Sequence, residues 1–266
     1  ETDGLDEGQR KRLHVAELAF NMLDYYLQWE QASQDFNFEA AAELGDKMRQ
    51  VYDTAVEMSI HLYGRPSGIY LDRLLLNSTK GQLAYSTAPY GILHELPDEL
   101  PTMFDPTSNG ERMNLFSPAI NDEGWLKTKT YSSTWDAQGL GLLRDGSVWY
   151  RTRFEIPEKH QGDGVGLLLG AFEDEARVWV NGAYMGSTGI KFPQPVAVDL
   201  TDAIRFGEEN MLTIQVIRNS KANEIGLGGI IRPSFVFTGP QLERKAPKPL
   251  ELRRELPGGE LGEVEE

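Results

Sequence analysis

The spacing of apolar residues changes once along this chain, and that change limits the fold more than any other feature. Before about residue 63 the apolar residues step by three and four; after about residue 146 they alternate. Leu13, Ala16, Phe20, Leu23 and Leu27 mark a first helical stripe, and the run continues to about Ala32 without Pro or Gly. Ala41, Leu44, Met48, Val51, Ala55, Met58 and Leu62 mark a second, within Phe38 to Tyr63. Each series puts one apolar stripe on a helix. Asn37 stands where an N-cap belongs, with Glu39 and Glu43 at the positive end of the helix dipole. Gly64-Arg65-Pro66 stops the second helix, and Gly45 within it works against helical propensity. The connection from Gln34 to Phe36 is short, so the two helices are predicted to form an antiparallel hairpin. A weaker third helix is expected over Tyr70 to Ala84.

Pro89, Gly91, Pro97, Pro101, Pro106 and Gly110 punctuate residues 86–112, which read as a crossover without regular structure. Beyond it, Val148 to Ile156 alternates and ends at Pro157. Gly166 to Phe172 is a short apolar run, and Arg177 to Val180 and Ala183 to Met185 flank Asn181-Gly182, a strong hairpin-turn signal. Val196 to Leu200, Met211 to Ile217 and Ser234 to Phe237 complete at least six strands. No helical pattern separates them, which predicts an antiparallel β-sandwich rather than a βαβ sheet. The expected class is therefore α+β in several parts: a helical segment over 1–90, a β-sandwich over 91–240, and a charged, Pro- and Gly-rich tail or linker over 241–266. Trp149, Phe154 and Trp179 sit mid-strand and are expected to fill the space between the sheets.

The net charge of −15 argues against nucleic acid or an anionic membrane as partner, because phosphates would be repelled. With no cysteine there are no disulfides and no thiolate chemistry. No run of 18 apolar residues is present, so no membrane-spanning helix is expected. Glu1-Thr2-Asp3-Gly4 carries neither an initiator Met nor a leader sequence, so the chain reads as a piece of a longer polypeptide.

Five local patterns then occur in a fixed order. They are Asn121-Asp122-Glu123-Gly124-Trp125, Trp135-Asp136-Ala137-Gln138-Gly139, Val148-Trp149-Tyr150-Arg151 with Phe154, Ala176 to Gly182 with Gly186, and Gly228 to Pro233. In this order they resemble the sugar-binding domain of family 2 glycoside hydrolases, a galactose-binding-like jelly roll. More loosely, Phe104-Asp105-Pro106 to Gly110 resembles the strand that leads into such a domain, and the helical hairpin resembles a segment that joins it to a catalytic barrel. The resemblance implies a non-catalytic accessory region that binds carbohydrate, braces a catalytic domain missing from this sequence, or does both. It also implies a secreted or periplasmic setting. Ile231 stands where the family usually has Tyr, which counts against this domain completing a partner's catalytic pocket.

A glycosidase needs two carboxylates held across a cleft, but among 41 acidic residues no pair stands out. Glu173-Asp174-Glu175 reads as a polar turn, with a structural calcium ion or hydroxyl-binding carboxylates as alternatives; no other cofactor is indicated. His14, His61, His94 and His160 lack any metal-ligand spacing. The Gly-rich stretch from Gly226 precedes a strand and lacks the Lys and Ser/Thr of a phosphate loop. Trp125 and Trp135 lie in loops, where a ring either stacks on a sugar or packs on the sandwich. Asp122, Asp136 and Gln138 lie beside them and complete a candidate carbohydrate site. The rival readings are a purely structural interaction module and an enzyme with a cleft between helices and sandwich.

Overall fold

The computed structural model describes residues 4–58, 71–135, 137–140, 146–172, 175–189, 194–218 and 229–240. Three α-helices and several antiparallel sheets make the protein α+β, as its periodicity predicts. Helix α1 (Glu7–Gln34) opens on a capping box: Asp6 and Gln9 each accept from the other's backbone N–H, at 2.7 and 2.8 Å. Helix α2 (Phe38–Glu57) is capped by Asn37, whose side chain accepts from the N–H of Ala40. The chain turns between them through Phe36 at φ 55°. Leu71–Leu76 forms one π-helical stretch and runs into α3 (Asn77–Ser86), so the expected third helix starts irregularly. Leu62 and Tyr70 lie outside the described residues.

The second stripe is buried as expected, with Ala41, Met48, Val51 and Ala55 in the helical core. The first is not. Leu18, Met22 and Trp29 face that core, whereas Leu13, Phe20, Leu23 and Leu27 are exposed. The helix carries two apolar faces on opposite sides, and the sequence pattern favoured the wrong one.

Twelve strands follow among the described residues: β1 (Gly91–Glu95), β2 (Glu99–Asp105), β3 (Leu126–Lys129), β4 (Gly146–Glu155), β5 (Gly164–Leu169), β6 (Ala171–Phe172), β7 (Glu175–Val180), β8 (Ala183–Ser187), β9 (Val196–Asp199), β10 (Glu209–Arg218), β11 (Ile230–Arg232) and β12 (Phe235–Gly239). One sheet has the order β1-β12-β5-β9, a larger one β3-β2-β4-β10-β7-β8, and β11 pairs with β6 alone. The strands β1 and β2 run through the segment read as a crossover. Its prolines fit because they sit at strand ends or near the sheet margin: Pro101 lies in β2 opposite Lys127 of the edge strand β3.

Period-two alternation explains the layers. Val148, Tyr150 and Phe154 of β4, Val178 and Val180 of β7, and Leu212, Ile214 and Val216 of β10 share one core with Val165, Leu167 and Leu169 of β5 and Val236 of β12. The two sheets therefore enclose a common interior. The smaller sheet's other face, with Leu168, Phe235 and Phe237, packs on Phe38 and the aromatic residues Phe36, Tyr85 and Tyr90. Two buried side-chain bonds dock α3 on the strand region, Ser78 Oγ to the carbonyl of Gly170 and Gln82 Nε2 to that of Pro233, both at 2.7 Å.

The larger sheet's other face holds Trp149 and Trp179, which are fully buried. This corrects the expectation that both fill the space between the sheets; of the three mid-strand aromatics, Phe154 alone does so. Odd positions of β4 and β7 point away from the sheet interior, and the tryptophans there are covered by Leu115, Phe116, Ile120 and Trp125. Asp105 holds that cover in place. Its carboxylate accepts from the backbone N–H groups of Asn109 and Gly110, from Ser147 Oγ, and from Trp149 Nε1.

Candidate functional site

The expected carbohydrate residues are used inside the fold. Trp125 is packed in the cluster under the larger sheet's outer face, with the Arg151 guanidinium 5.5 Å from its ring centroid. Trp135 belongs to the core between the sheets and donates from Nε1 to Tyr150 Oη at 3.3 Å. Neither offers an open face to a ligand. Asp122 is buried and forms ion pairs with Arg151 and Arg153 at 3.3 and 3.2 Å. Asp136 lies outside the described residues. Gln138 ties a loop together: its Oε1 accepts from the N–H of Lys129, and its Nε2 donates to the carbonyls of Lys129 and Ser133.

That loop leads to a different site. The structure places a recess of about 190 Å³ between α1, residues 130–134 and β11. Tyr26 and Glu30 reach it from α1, one helical turn apart, and both are partly buried. Residues 130–134 contribute Thr130, Tyr131, Ser132, Ser133 and Thr134, and β11 contributes Ile231 and Arg232. The loop is held from two sides. Asp98 accepts from the backbone N–H groups of Thr130 and Ser132 and from both hydroxyls, through its carbonyl and its carboxylate. Gln138 fixes the other end. Tyr131 is set edge-on against Phe36 of the helical hairpin turn, at 6.0 Å between centroids.

Arg232 forms the floor, with its guanidinium 5.0 Å from the centroid of Trp29. Burial lowers its pKa, and Tyr26 and Glu30 oppose that shift. The Tyr131 hydroxyl is pushed up to about 12, first by burial and then by the negative charges of Asp98, Glu95 and Asp35. The recess thus combines two phenol rings, several hydroxyls, one carboxylate and one guanidinium. Glu30 is the one carboxylate that lines it among the described residues. A single acid does not make the pair that glycoside hydrolysis requires.

The raised Tyr131 pKa has a measurable consequence. Its folded value lies above the ordinary 10.0, so its protonated form stabilises the fold below about pH 10 and that contribution is lost as pH rises towards 12. Tyrosinate absorbance of the protein minus that of Tyr131→Phe should show one phenol with a midpoint near 12. A midpoint near 10 would put this ring in open solvent.

The remaining candidates have structural partners. Glu175 bonds Arg177 Nε and Ser187 Oγ at 3.2 and 2.7 Å, while Glu173 and Asp174 lie outside the described residues, as do Gly226 and Gly228. His14 and His160 sit beside Glu17 and Asp163, and His94 stacks on Phe154. His61 lies outside the described residues. No group of His, Asp and Glu among the described residues is arranged to hold a metal. Asn181 is a turn residue at φ 52°, next to Gly182 at φ 84°. Its side chain also donates to the carbonyl of Ala203 and to Asn210 Oδ1 and accepts from the N–H of Met211. Sequence reading missed Tyr26, Glu30 and Tyr131, because Tyr131 lies about one hundred residues from the other two and no local pattern joins them. It singled out Phe104-Asp105-Pro106 to Gly110 as a lead-in strand but gave the Asp105 carboxylate no role, although Asp followed by Pro-Thr-Ser-Asn-Gly is a recognisable turn signal.

No family model matches the chain. A stretch of 71 residues is 35% identical to a β-glucuronidase of Formosa agariphila; it takes up 27% of this chain and 7% of that enzyme. Similar solved structures include β-glucuronidases of Ruminococcus gnavus (18% identity, 58% of this chain and 29% of that one, TM-score 0.47) and of Lactobacillus rhamnosus (17%, 55% and 28%, TM-score 0.49). The chain spans less than a third of these proteins. About a quarter of it is thus similar in sequence to a glycoside hydrolase, and the structural neighbours that overlay about half of it carry the same enzyme name.

Proposed function

We propose that this chain is a non-catalytic accessory region of a glycoside hydrolase, and that it holds one neutral sugar ring weakly in the recess between α1 and the loop at residues 130–134. On this reading the strand region is a galactose-binding-like jelly roll. The rest of the polypeptide would carry the catalytic domain that it braces. The recess itself is the observation that carries the sugar reading: the phenol groups of Tyr26 and Tyr131 line it together with Glu30, Arg232 and the hydroxyls of residues 132–134, which are partners for sugar hydroxyls. Recognition sites combine an apolar platform with a few placed polar groups in this way. A volume of about 190 Å³ fits one ring and not an oligosaccharide. Glu30 in the recess and Asp98, Glu95 and Asp35 around Tyr131 outnumber Arg232, the one cation that lines the recess among the described residues and one that Glu30 already faces, and so favour a neutral sugar over a uronate. The ligand set thereby moves from Trp125, Trp135 and Asp122, which the fold consumes, to residues that Gln138 and Asp98 hold in place.

The test is a titration of the full chain with glucose, galactose, mannose and glucuronate, followed through isotope-labelled tyrosine ring signals. Neutral sugars should shift Tyr26 and Tyr131 with a dissociation constant on the order of millimolar, which corresponds to about 4 kcal/mol. The shifts should vanish in Tyr131→Ala while the fold persists. Aryl glycosides should not be turned over by this chain. No shift at high sugar concentration would leave a purely structural module as the better reading, a view that the buried Trp125 and Trp135 favour. Tighter binding of glucuronate than of neutral sugars would sink the neutral-sugar assignment.

A further inference from the structure

Helix α1 has a second apolar face that stays exposed among the described residues. Leu13, Phe20, Leu23 and Leu27 are 40, 70, 55 and 54% exposed, and they are four of the six large apolar side chains left exposed among the described residues. With Ala16, also exposed, they fall at steps of three, four, three and four. At 100° per residue this stripe centres opposite Leu18, Met22 and Trp29, which pack into the protein. One helix therefore joins the fold on one side and presents a coiled-coil seam on the other. Scattered exposed leucines need no explanation, but a continuous apolar row does.

We propose that this face is an interface between two copies of the chain, paired in parallel along α1. The spacing sets Leu13, Phe20 and Leu27 at a positions and Ala16 and Leu23 at d positions. The flanking charges choose the orientation. Arg12 precedes the first a position and Glu17 follows the first d position. In a parallel pair these meet across the seam as g and e′, twice by symmetry. An antiparallel pair would instead bring Glu17 towards Asp24 of the second copy, and like charges there are repulsive. The apolar row runs from Leu13 to Leu27, roughly 21 Å at 1.5 Å per residue, with Gln9 and Glu30 at the d positions that flank it. The inference is tested independently of whether the recess holds a sugar, since Arg12, Glu17 and Phe20 do not line the recess.

Sedimentation equilibrium of the full chain tests it. We expect a mass of twice 29.8 kDa at micromolar concentrations. Phe20→Glu should give the single-chain mass with unchanged far-ultraviolet circular dichroism and a thermal transition that no longer depends on protein concentration. Arg12→Glu should weaken the dimer by about tenfold or more, by setting two acids against each other. The double variant Arg12→Glu with Glu17→Arg should restore it. A single-chain mass up to millimolar concentration would overturn the proposal, as would a dimer that survives Phe20→Glu. Tighter association on Glu17→Arg alone would overturn the parallel orientation, because it would relieve the antiparallel clash.

Discussion

Trp179→Ala is expected to lower the unfolding free energy by about 3–5 kcal/mol. The ring is 1% exposed and contacts three others: Phe116 stacked at 5.6 Å and 8° between planes, Trp149 at 5.2 Å and Tyr184 at 5.3 Å. Truncation removes one of the three tryptophans of this cluster and leaves a cavity between the larger sheet and its cover. Two consequences separate this from an ordinary core deletion. The damage falls on the outer face, so the core between the sheets, built from Val178 and Val180 on the same strand, keeps its packing. The cover over residues 115–125 should loosen first, which protease sensitivity there would report before global unfolding. Trp179→Phe should cost clearly less, since a ring still faces Phe116. Urea denaturation gives the magnitude; a loss under about 1 kcal/mol would mean that the ring is not held as described.

Asp122→Ala is expected to cost a similar amount, about 3–5 kcal/mol, through charge rather than volume. Arg151 is 1% exposed in the middle of β4, and its pKa is lowered by burial while Asp122 opposes the shift. Removing that carboxylate strands a buried guanidinium. The same guanidinium donates to the carbonyls of Ile120 and Ser117 at 3.0 and 3.1 Å, so it pins the segment that covers Trp179. Replacing both partners together, as Asp122→Leu with Arg151→Met, should cost less than Asp122→Ala alone, because no unpaired charge remains. Denaturation of the three variants in parallel decides this. Equal losses in the single and double variants would show that the carbonyl contacts, and not the ion pair, hold Arg151 in place.

Both predictions depend on a layer that the sequence did not announce. Residues 106–125 carry no periodic pattern, and their role as a cover comes from contacts with β4 and β7 that are distant in sequence. The same cause moved the candidate ligand site. Trp125 and Trp135 occupy loops in the sequence, and a loop aromatic is free to stack on a ligand or to pack on the fold. Here each is drawn inward by a partner from β4, Arg151 for Trp125 and Tyr150 for Trp135. No periodic pattern in the sequence joins the members of either pair.

The sequence by itself determined the local elements whose forces act over a few residues. Periods of 3.6 and 2 separated helices from strands; Asn37 capped its helix and Asn181-Gly182 made its turn, because capping and positive φ are properties of neighbouring backbone. It determined the buried face of α2, which has one apolar stripe. It could not choose between the two faces of α1, since Leu13-Phe20-Leu23-Leu27 and Leu18-Met22-Trp29 satisfy the helical period equally well. Only α2, α3 and the sheets made that choice, by offering Trp29 a buried place and a bond from its Nε1 to Thr79 Oγ1. Only tertiary structure sent Val178 between the sheets and Trp179 to the opposite face. Strand alternation fixes that neighbours diverge, not which side each takes, and the larger ring went where Phe116, Trp149 and Tyr184 leave room for it.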